Sequence, residues 1–200
     1  AWGYEIQAQR LFSAGDGAPV LRIISTGDLE LFAPLIIAFQ AQNPNISIDY
    51  TVASSGALYA AIAEEGATFD VALSSAMDLQ TKLANDGFAL TQISTNTAAL
   101  PDWARWADRI FAFTQEPAVV LISRAGIGDL PVPQTRQDLI ALLRDNPELF
   151  MGRVGTYDLR LSGLGYLFAT QDARTSETYW RLAEVMGNMN AQLYCCSGKM

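Results

Sequence analysis

The sequence of 200 residues contains no histidine, and its only lysines are Lys82 and Lys199. Without histidine, a Ser-His-Asp triad, a Cys-His dyad and any histidine-ligated metal site are excluded. The two cysteines, Cys195 and Cys196, are adjacent and cannot cross-link distant segments of the chain. Two neighbouring thiols also supply too few ligands for a tetrahedral zinc site. We therefore expect no metal, no cofactor and a structural role for the cysteine pair.

Basic residues are scarce as a class. The chain has 13 Lys and Arg against 21 Asp and Glu, a formal net charge of -8, and its pI is near 4.4. This balance argues against binding to nucleic-acid phosphates or to anionic lipid headgroups. No apolar run approaches the roughly 20 residues that span a bilayer, and the first four residues lack the pattern of a signal peptide. Half of the residues are hydrophobic, which is enough for a sizeable buried core.

The first half of the chain alternates strands and helices. Runs rich in β-branched and aromatic residues, each followed by a helical pattern, occupy residues 21–25, 46–52 and 69–73. The first helical pattern places Leu31, Leu35, Ala38 and Phe39 on one face. Short connections between these elements predict an α/β fold with a largely parallel sheet flanked by helices. Residues 1–18, before the first run, are interpreted as a loosely attached arm.

The second half begins with two β runs, at residues 111–114 and 119–122, on either side of a Gln-Glu-Pro turn. A helix is predicted over residues 135–146, with Thr135 as N-cap and Asp138 completing a capping-box variant. A strand, a short helix and a longer helix follow at residues 153–157, 163–171 and 176–194. The sequence shows no internal repeat and no low-complexity segment.

Each of the first three strands ends in a hydroxyl-rich turn that opens a helix. These turns are Ser25-Thr26-Gly27, Ser54-Ser55-Gly56 and Ser74-Ser75. In an open parallel sheet they meet outside the carboxyl ends of the strands, where ligands bind in such folds. Helix N-termini and hydroxyl groups together bind an oxyanion without any lysine or arginine. The alternative is that each hydroxyl is only a helix N-cap, and the two roles are compatible.

No catalytic pattern accompanies these turns. Asp28, Asp70, Asp78 and Asp158 lie where they can approach the crevice, but their spacing assigns no acid and base roles. The glycines form neither a dinucleotide fingerprint nor a Walker-type loop. We therefore expect a binding protein and no enzyme.

Four segments resemble a known family in their order along the chain. They read LRIISTGDLELFAPLIIAFQAQNPNISIDY, GATFDVALSSAMDLQTKLANDGFA, FAFTQEPAVVLISRAGI and GRVGTYDLRLSGLGYLFATQD. Over residues 19–200 the chain resembles a periplasmic solute-binding protein of a bacterial ABC importer, with the type II periplasmic-binding-protein fold, of the iron(III)/phosphoglycerate-type group. The resemblance implies lobe one at residues 19–110, a crossing strand at 111–122 and a partial lobe two at 123–200.

The resemblance also implies which residues bind the solute between the lobes. From lobe one these are Ser25, Thr26, Gly27, Ser54, Ser55, Ser74 and Ser75. From lobe two they are Thr156, Tyr157, Arg160, Ser162 and Ser197, the last as the cap of another helix. Iron-binding members use paired tyrosines late in the chain, together with histidine or carboxylate. Because this chain lacks histidine and ends before that tyrosine region, we expect a small oxyanion or a carboxylate- or phosphate-bearing metabolite.

Location and partners follow from the same resemblance. It implies a periplasmic receptor that delivers its solute to a membrane permease. A periplasmic protein that presents the solute to a sensor kinase is one alternative, and the effector-binding domain of a transcription regulator is another. The resemblance also implies that family members are longer, so we expect the C-terminal third, with the return crossing, to be missing here. We therefore expect lobe one to expose apolar surface and the chain to self-associate.

Overall fold

The computed structural model describes residues 4–115 and 117–200. The chain divides into two units, Ala1–Gln115 and Glu116–Met200, and this boundary falls inside the predicted crossing segment. Each unit contains strands and helices, as the predicted α/β class requires. Within the described ranges, no helix is both long enough and apolar enough to cross a membrane.

Unit 1 is built on a four-stranded sheet with helices on both faces. Its strands are β1 (Ile6–Phe12), β2 (Val20–Ser25), β3 (Ser47–Ala53), β4 (Val71–Leu73) and the short pair β5 (Arg105–Trp106) and β6 (Ile110–Phe111). Its helices are α1 (Leu29–Gln42), α2 (Ser55–Ala63), α3 (Met77–Asn85) and α4 (Thr95–Ala98). The sheet order is β1-β3-β2-β4, and β2 pairs parallel with both β3 and β4. The predicted β-α-β-α-β-α order is confirmed by β2 through α3.

The core of unit 1 has one half on each side of the sheet because side chains alternate along a strand. Ile23 and Tyr50 pack with Ile36 of α1 on one face. On the other face, Ile24 packs with Leu58 of α2 and the nearby α3. Strand β3 lies between two neighbouring strands and is buried over almost all of its length. Polar and apolar residues alternate along β3, with Ile48, Tyr50 and Val52 in one set, and this period of two is the signal that predicted the strand.

Strand β1 corrects the interpretation of residues 1–18 as a loosely attached arm. Residues 6–12 pair antiparallel with β3, in a register that places Phe12 opposite Ile48. Most β1 side chains are exposed, and Phe12 is the buried one. The pairing therefore rests on backbone hydrogen bonds to the edge of β3, and a hydrophobic pattern does not report such bonds.

Helix α1 exposes the apolar face that was predicted from the spacing of Leu31, Leu35, Ala38 and Phe39. Leu31 is 70% exposed and Leu35 60%, whereas Ile36 is 5% exposed. Phe32 and Ala33 share the buried side with Ile36. The helix is apolar nearly all round, so its sequence does not choose the face that packs on the sheet.

We expect this exposed face to make the 200-residue chain self-associate, since exposed apolar patches drive association. Replacing both Leu31 and Leu35 with Glu would shift the mass measured by light scattering towards the 21.7 kDa monomer. Gln137→Glu, an added charge at an exposed position of unit 2, would leave the mass unchanged. A wild-type chain that is a monodisperse monomer would contradict this expectation.

Unit 2 has more helix than sheet. Its elements are α5 (Arg124–Ile127), α6 (Arg136–Asp145), α7 (Pro147–Phe150), β7 (Gly155–Tyr157), α8 (Gly163–Thr175), α9 (Tyr179–Asn188) and β8 (Gln192–Tyr194). The predicted capping box of α6 is confirmed, because Thr135 and Asp138 each accept a backbone N–H of the other. Strand β8 pairs parallel with β7. The prediction of one helix over 176–194 is therefore wrong at its end, where pairing with β7 overrides local helical preference.

The predicted β runs at 111–114 and 119–122 are mostly not strands. Only Phe111 of these residues belongs to a strand, and residues 119–122 have no regular structure. Leu121 is 90% exposed. A run of β-branched residues becomes a strand only where a partner strand accepts its hydrogen bonds, and β propensity alone does not supply one.

Candidate functional site

The carboxyl ends of three parallel strands define one edge of the unit 1 sheet. Ser25, the last residue of β2, is in register with Val52 of β3 and with Leu73 of β4. The chain leaves these strands through the three predicted hydroxyl-rich turns, which the structure therefore brings to the same edge. This is the edge at which open α/β sheets bind ligands.

The turn after β2 is fixed by hydrogen bonds with two buried side chains, Ser25 and Tyr50. Ser25 is 1% exposed, and its Oγ accepts a hydrogen bond from the Gly27 N–H at 2.9 Å. The hydroxyl of buried Tyr50 donates to the Gly27 carbonyl at 2.9 Å. Burial raises the pKa of Tyr50, so this hydroxyl stays protonated. A Cβ on Gly27 would overlap the Phe32 ring, which explains why glycine occupies this position.

The turns after β2 and β4 are joined by hydrogen bonds. The Thr26 N–H donates to the Leu73 carbonyl at 3.0 Å, and the Ser75 N–H lies 3.4 Å from Thr26 Oγ1. The Ser74 hydroxyl accepts from the Ala76 N–H at 3.1 Å, just before α3 begins. These contacts hold two of the predicted turns as one polar surface.

The turn after β3 is a helix cap. Ser54 is the N-cap of α2, and its Oγ accepts from the Ala57 N–H at 3.2 Å. Ser55 follows as a buried residue of the helix. A hydroxyl that accepts a backbone N–H keeps its own hydrogen to donate. Capping therefore leaves the O–H of Ser54, like that of Ser74, as a hydrogen-bond donor.

Acidic side chains flank this edge. Asp28 is exposed at the start of α1 and contributes to the raised pKa of Tyr50. Asp78 lies in the first turn of α3, and its Oδ1 is buried without a hydrogen-bond partner among the described residues. An anion at this edge would therefore be bound by neutral hydrogen-bond donors. A positively charged side chain that contacts the anion would have to come from elsewhere in the chain.

Unit 2 presents a charged loop at the carboxyl end of β7. The Arg160 guanidinium donates to both carboxylate oxygens of Asp158, from Nε at 2.9 Å and from Nη2 at 2.6 Å. Asp158 is buried, whereas the Arg160 side chain is 80% exposed. Ser162 is also buried and caps α8 by accepting from the Gly165 N–H at 3.0 Å. The structure thus brings Arg160 and Ser162 together at the start of a 13-residue helix.

The remaining predicted residues lie on the β7–β8 pair. The hydroxyls of Tyr157 and Ser197 are hydrogen-bonded at 2.7 Å. Ser197 begins a three-residue 3₁₀ turn and caps no helix, so its expected capping role is wrong; its hydroxyl is engaged by Tyr157 instead. Thr156 points to the sheet face opposite Tyr157, because neighbours along a strand alternate. Cys195 and Cys196, which precede Ser197, are both thiols.

Arg160 controls the ionisation of Asp158. Hydrogen bonds from the Arg160 side chain and backbone lower the pKa of Asp158 from 3.8 to about 2. Because the folded-state pKa lies below the unfolded value, the carboxylate stabilises the fold above about pH 4. This contribution is lost as the pH falls towards 2.

We therefore expect Asp158→Asn to lower the free energy of unfolding more at pH 7 than at pH 2. Urea-induced unfolding of both proteins at the two pH values measures this difference. An equal effect of the substitution at both pH values would show that the ionised pair does not stabilise the fold.

A recess of about 450 Å³ in unit 2 is lined by Val120, Ile122 and Leu182 beside the start of α6, and contains none of the predicted site residues. In the part of the chain that the structure describes, no three cysteine, aspartate or glutamate side chains are grouped to hold a metal ion.

Comparisons with known proteins agree with this architecture. The mixed sheet of unit 1, with helices on both faces and polar turns at the carboxyl ends of its parallel strands, agrees with the periplasmic-binding-protein fold, to which the family match and a similar solved structure assign the chain. The model of the bacterial extracellular solute-binding protein family matches residues 25–194. The chain belongs to this family.

A solved structure is similar over nearly the whole chain. The crystal structure of the substrate binding protein of the ABC transporter from Agrobacterium tumefaciens is 33% identical, with a TM-score of 0.93. The match covers 99% of this chain and 60% of that chain. No curated protein matches the chain.

Two residues that organise the candidate site were given no role from the sequence: one supports the turn after β2 and the other the loop after β7. Tyr50 holds the Gly27 carbonyl from the core, and Asp158 holds Arg160. Tyr50 is indistinguishable in sequence from any apolar strand residue. For Asp158 a signal exists, since a carboxylate two residues before an arginine, after a strand, can form such a pair.

Proposed function

We propose that this chain is the solute-binding part of a periplasmic receptor that delivers its solute to the membrane permease of an ABC importer. Within the family we place it in the iron(III)/phosphoglycerate-type group. The solute is a small oxyanion or a metabolite that carries a carboxylate or phosphate. The hydroxyl-rich turns of unit 1 are proposed to contribute donors to its binding, and the Arg160 loop of unit 2 is proposed to contribute a guanidinium.

The observation that carries this proposal is the chemistry at the strand ends. Hydroxyls of Thr26, Ser54 and Ser74 meet at one sheet edge in unit 1, and each keeps an O–H to donate. Arg160 supplies an exposed guanidinium after β7 in unit 2. Hydroxyls, backbone N–H groups and one arginine are donors that suit an anion.

A thermal-shift screen tests the proposal. We expect inorganic phosphate, 3-phosphoglycerate or citrate to raise the melting temperature, because a ligand that binds only the folded state stabilises it. Glucose, maltose and Fe³⁺ are the comparison compounds. The proposal fails if only cations, neutral sugars or apolar compounds raise the melting temperature.

Ser74→Ala should weaken binding of the best anion by about 1–2 kcal/mol, the value of a lost hydrogen bond. Ser123→Ala is the matched control, since Ser123 caps the short helix α5 in unit 2 and lies outside the proposed site. Isothermal titration calorimetry measures both. If Ser74→Ala binds the anion as tightly as the wild type does, the turn after β4 does not contribute to the binding site.

A further inference from the structure

The carboxylate of Asp158 is fixed in place from several sides. Its backbone N–H donates to the Tyr194 carbonyl at 2.8 Å, which extends the β7–β8 pairing by one residue. Its own carbonyl accepts from the N–H groups of Leu161 and Ser162, at 3.0 and 2.8 Å. The residue is 7% exposed. Asp158 is therefore a rigid acceptor at the strand end.

Arg160 is ordered by this acceptor although it faces solvent. Two side-chain bonds and one backbone N–H bond, the last at 3.0 Å, all end on the Asp158 carboxylate. An exposed arginine without such a partner populates many rotamers and loses that freedom when it binds a ligand. Here the ordering is already present before any ligand arrives, which favours affinity.

The geometry also selects which edge of the guanidinium meets a ligand. Asp158 takes the edge formed by Nε and Nη2. The edge formed by Nη1 and Nη2 lies outside this pair, on a side chain that is 80% exposed. Two parallel N–H groups on one edge match two oxygens of a carboxylate or a phosphate.

We infer that Asp158 is a positioning residue that holds Arg160 so that its Nη1–Nη2 edge binds the carboxylate or phosphate group of the solute. This inference rests on the proposed function and names the group of the solute that is recognised. The pair carries no net charge, so recognition depends on the direction of the N–H groups.

The direction in which neutralising Asp158 changes the affinity for an anion separates this positioning role from simple charge repulsion. A carboxylate near an anion repels it, so its neutralisation should tighten binding if charge alone mattered. If Asp158 positions Arg160, its neutralisation should loosen binding. Titration calorimetry with inorganic phosphate and 3-phosphoglycerate decides between the two.

We expect Asp158→Asn to weaken binding at least about 10-fold, and Arg160→Lys by a similar factor, the size of one lost charge-assisted hydrogen bond. Arg174→Lys, the same change at an exposed position late in α8, is the control and should bind like wild type. Asp158→Asn should add little further loss to Arg160→Lys, because a residue that acts through another has no effect once that partner is replaced.

A second measurement needs no substitution in Asp158. In the ¹⁵N spectrum of arginine side chains, the Nε–H signal of Arg160 should be resolved and slow to exchange in the wild type, since it is bonded to Asp158. Addition of 3-phosphoglycerate should shift this signal. This measurement still tests the role of Asp158 if the Asp158→Asn protein fails to fold.

The outcomes are distinct. Wild-type binding of either anion, with equal affinity in Asp158→Asn and Arg160→Lys, overturns this inference and leaves the proposed function standing. Tighter binding by Asp158→Asn, or an Arg160 Nε–H signal that exchanges like those of other exposed arginines, overturns it as well. Failure of the wild type to bind any anion overturns the proposed function and this inference together.

Discussion

Tyr50→Ala should lower the free energy of unfolding by about 3–5 kcal/mol, the usual cost of removing a large buried ring. Tyr50 is 0% exposed and stacks on Phe32, with 5.6 Å between the ring centroids. Its removal leaves a cavity between the sheet and α1 and also frees the Gly27 carbonyl. We therefore expect the turn after β2 to loosen and solute binding to fall together with stability. Urea-induced unfolding followed by circular dichroism measures the change.

Tyr50→Phe separates packing from hydrogen bonding. It keeps the ring and removes only the hydroxyl that donates to Gly27, so the expected loss is about 1 kcal/mol. Leu90→Ala, at an 88% exposed position of unit 1, is the control for truncation and should change the free energy of unfolding little. A Tyr50→Ala protein that unfolds at the wild-type urea concentration would show that the core around Tyr50 is not packed as described.

Gly165→Ala should lower the free energy of unfolding by about 1–3 kcal/mol through overpacking. A Cβ at this buried position would overlap the Cβ of Tyr157 and lie 2.8 Å from its Cγ. These atoms are close to the backbone and cannot swing away as a side-chain tip does. The added methyl group should push Tyr157 from Ser197 and weaken solute binding as well. Urea unfolding and a thermal-shift assay with 3-phosphoglycerate report the two effects.

Gly187→Ala is the matched control. Gly187 lies in α9, and apart from its chain neighbours and its own helix backbone no described atom lies within 4 Å of an added Cβ, so alanine should leave stability unchanged or raise it by up to about 1 kcal/mol. Equal effects of the two substitutions would mean that the contact between α8 and β7 is looser than the structure shows.

Much of the local structure could be read from the sequence. The strands β2, β3 and β4 and the capping box of α6 were predicted because their signals are local. The α/β class followed from the order of these elements. The order of residues in the resembling segments also indicated a solute-binding protein, and the model of the bacterial extracellular solute-binding protein family confirms that level of the prediction over residues 25–194.

Pairing between distant segments was less accessible. Strand β1 buries only Phe12 among its side chains, and β8 lies where a helical pattern continues. Both depend on a partner strand that supplies backbone hydrogen bonds, and such bonds leave no mark on side-chain periodicity. For the same reason, residues 119–122 were predicted as a strand that the structure does not contain.

At the candidate site, the sequence alone determined which groups are available: no histidine, few lysines and hydroxyls at the ends of three strands. Only the tertiary structure decided how those groups are used. It buries Ser25 against Gly27 and caps α2 with Ser54. It also aligns Arg160 on Asp158. The physical reason is that composition and order fix the chemistry of the side chains, whereas hydrogen-bond direction and burial depend on neighbours that folding brings together.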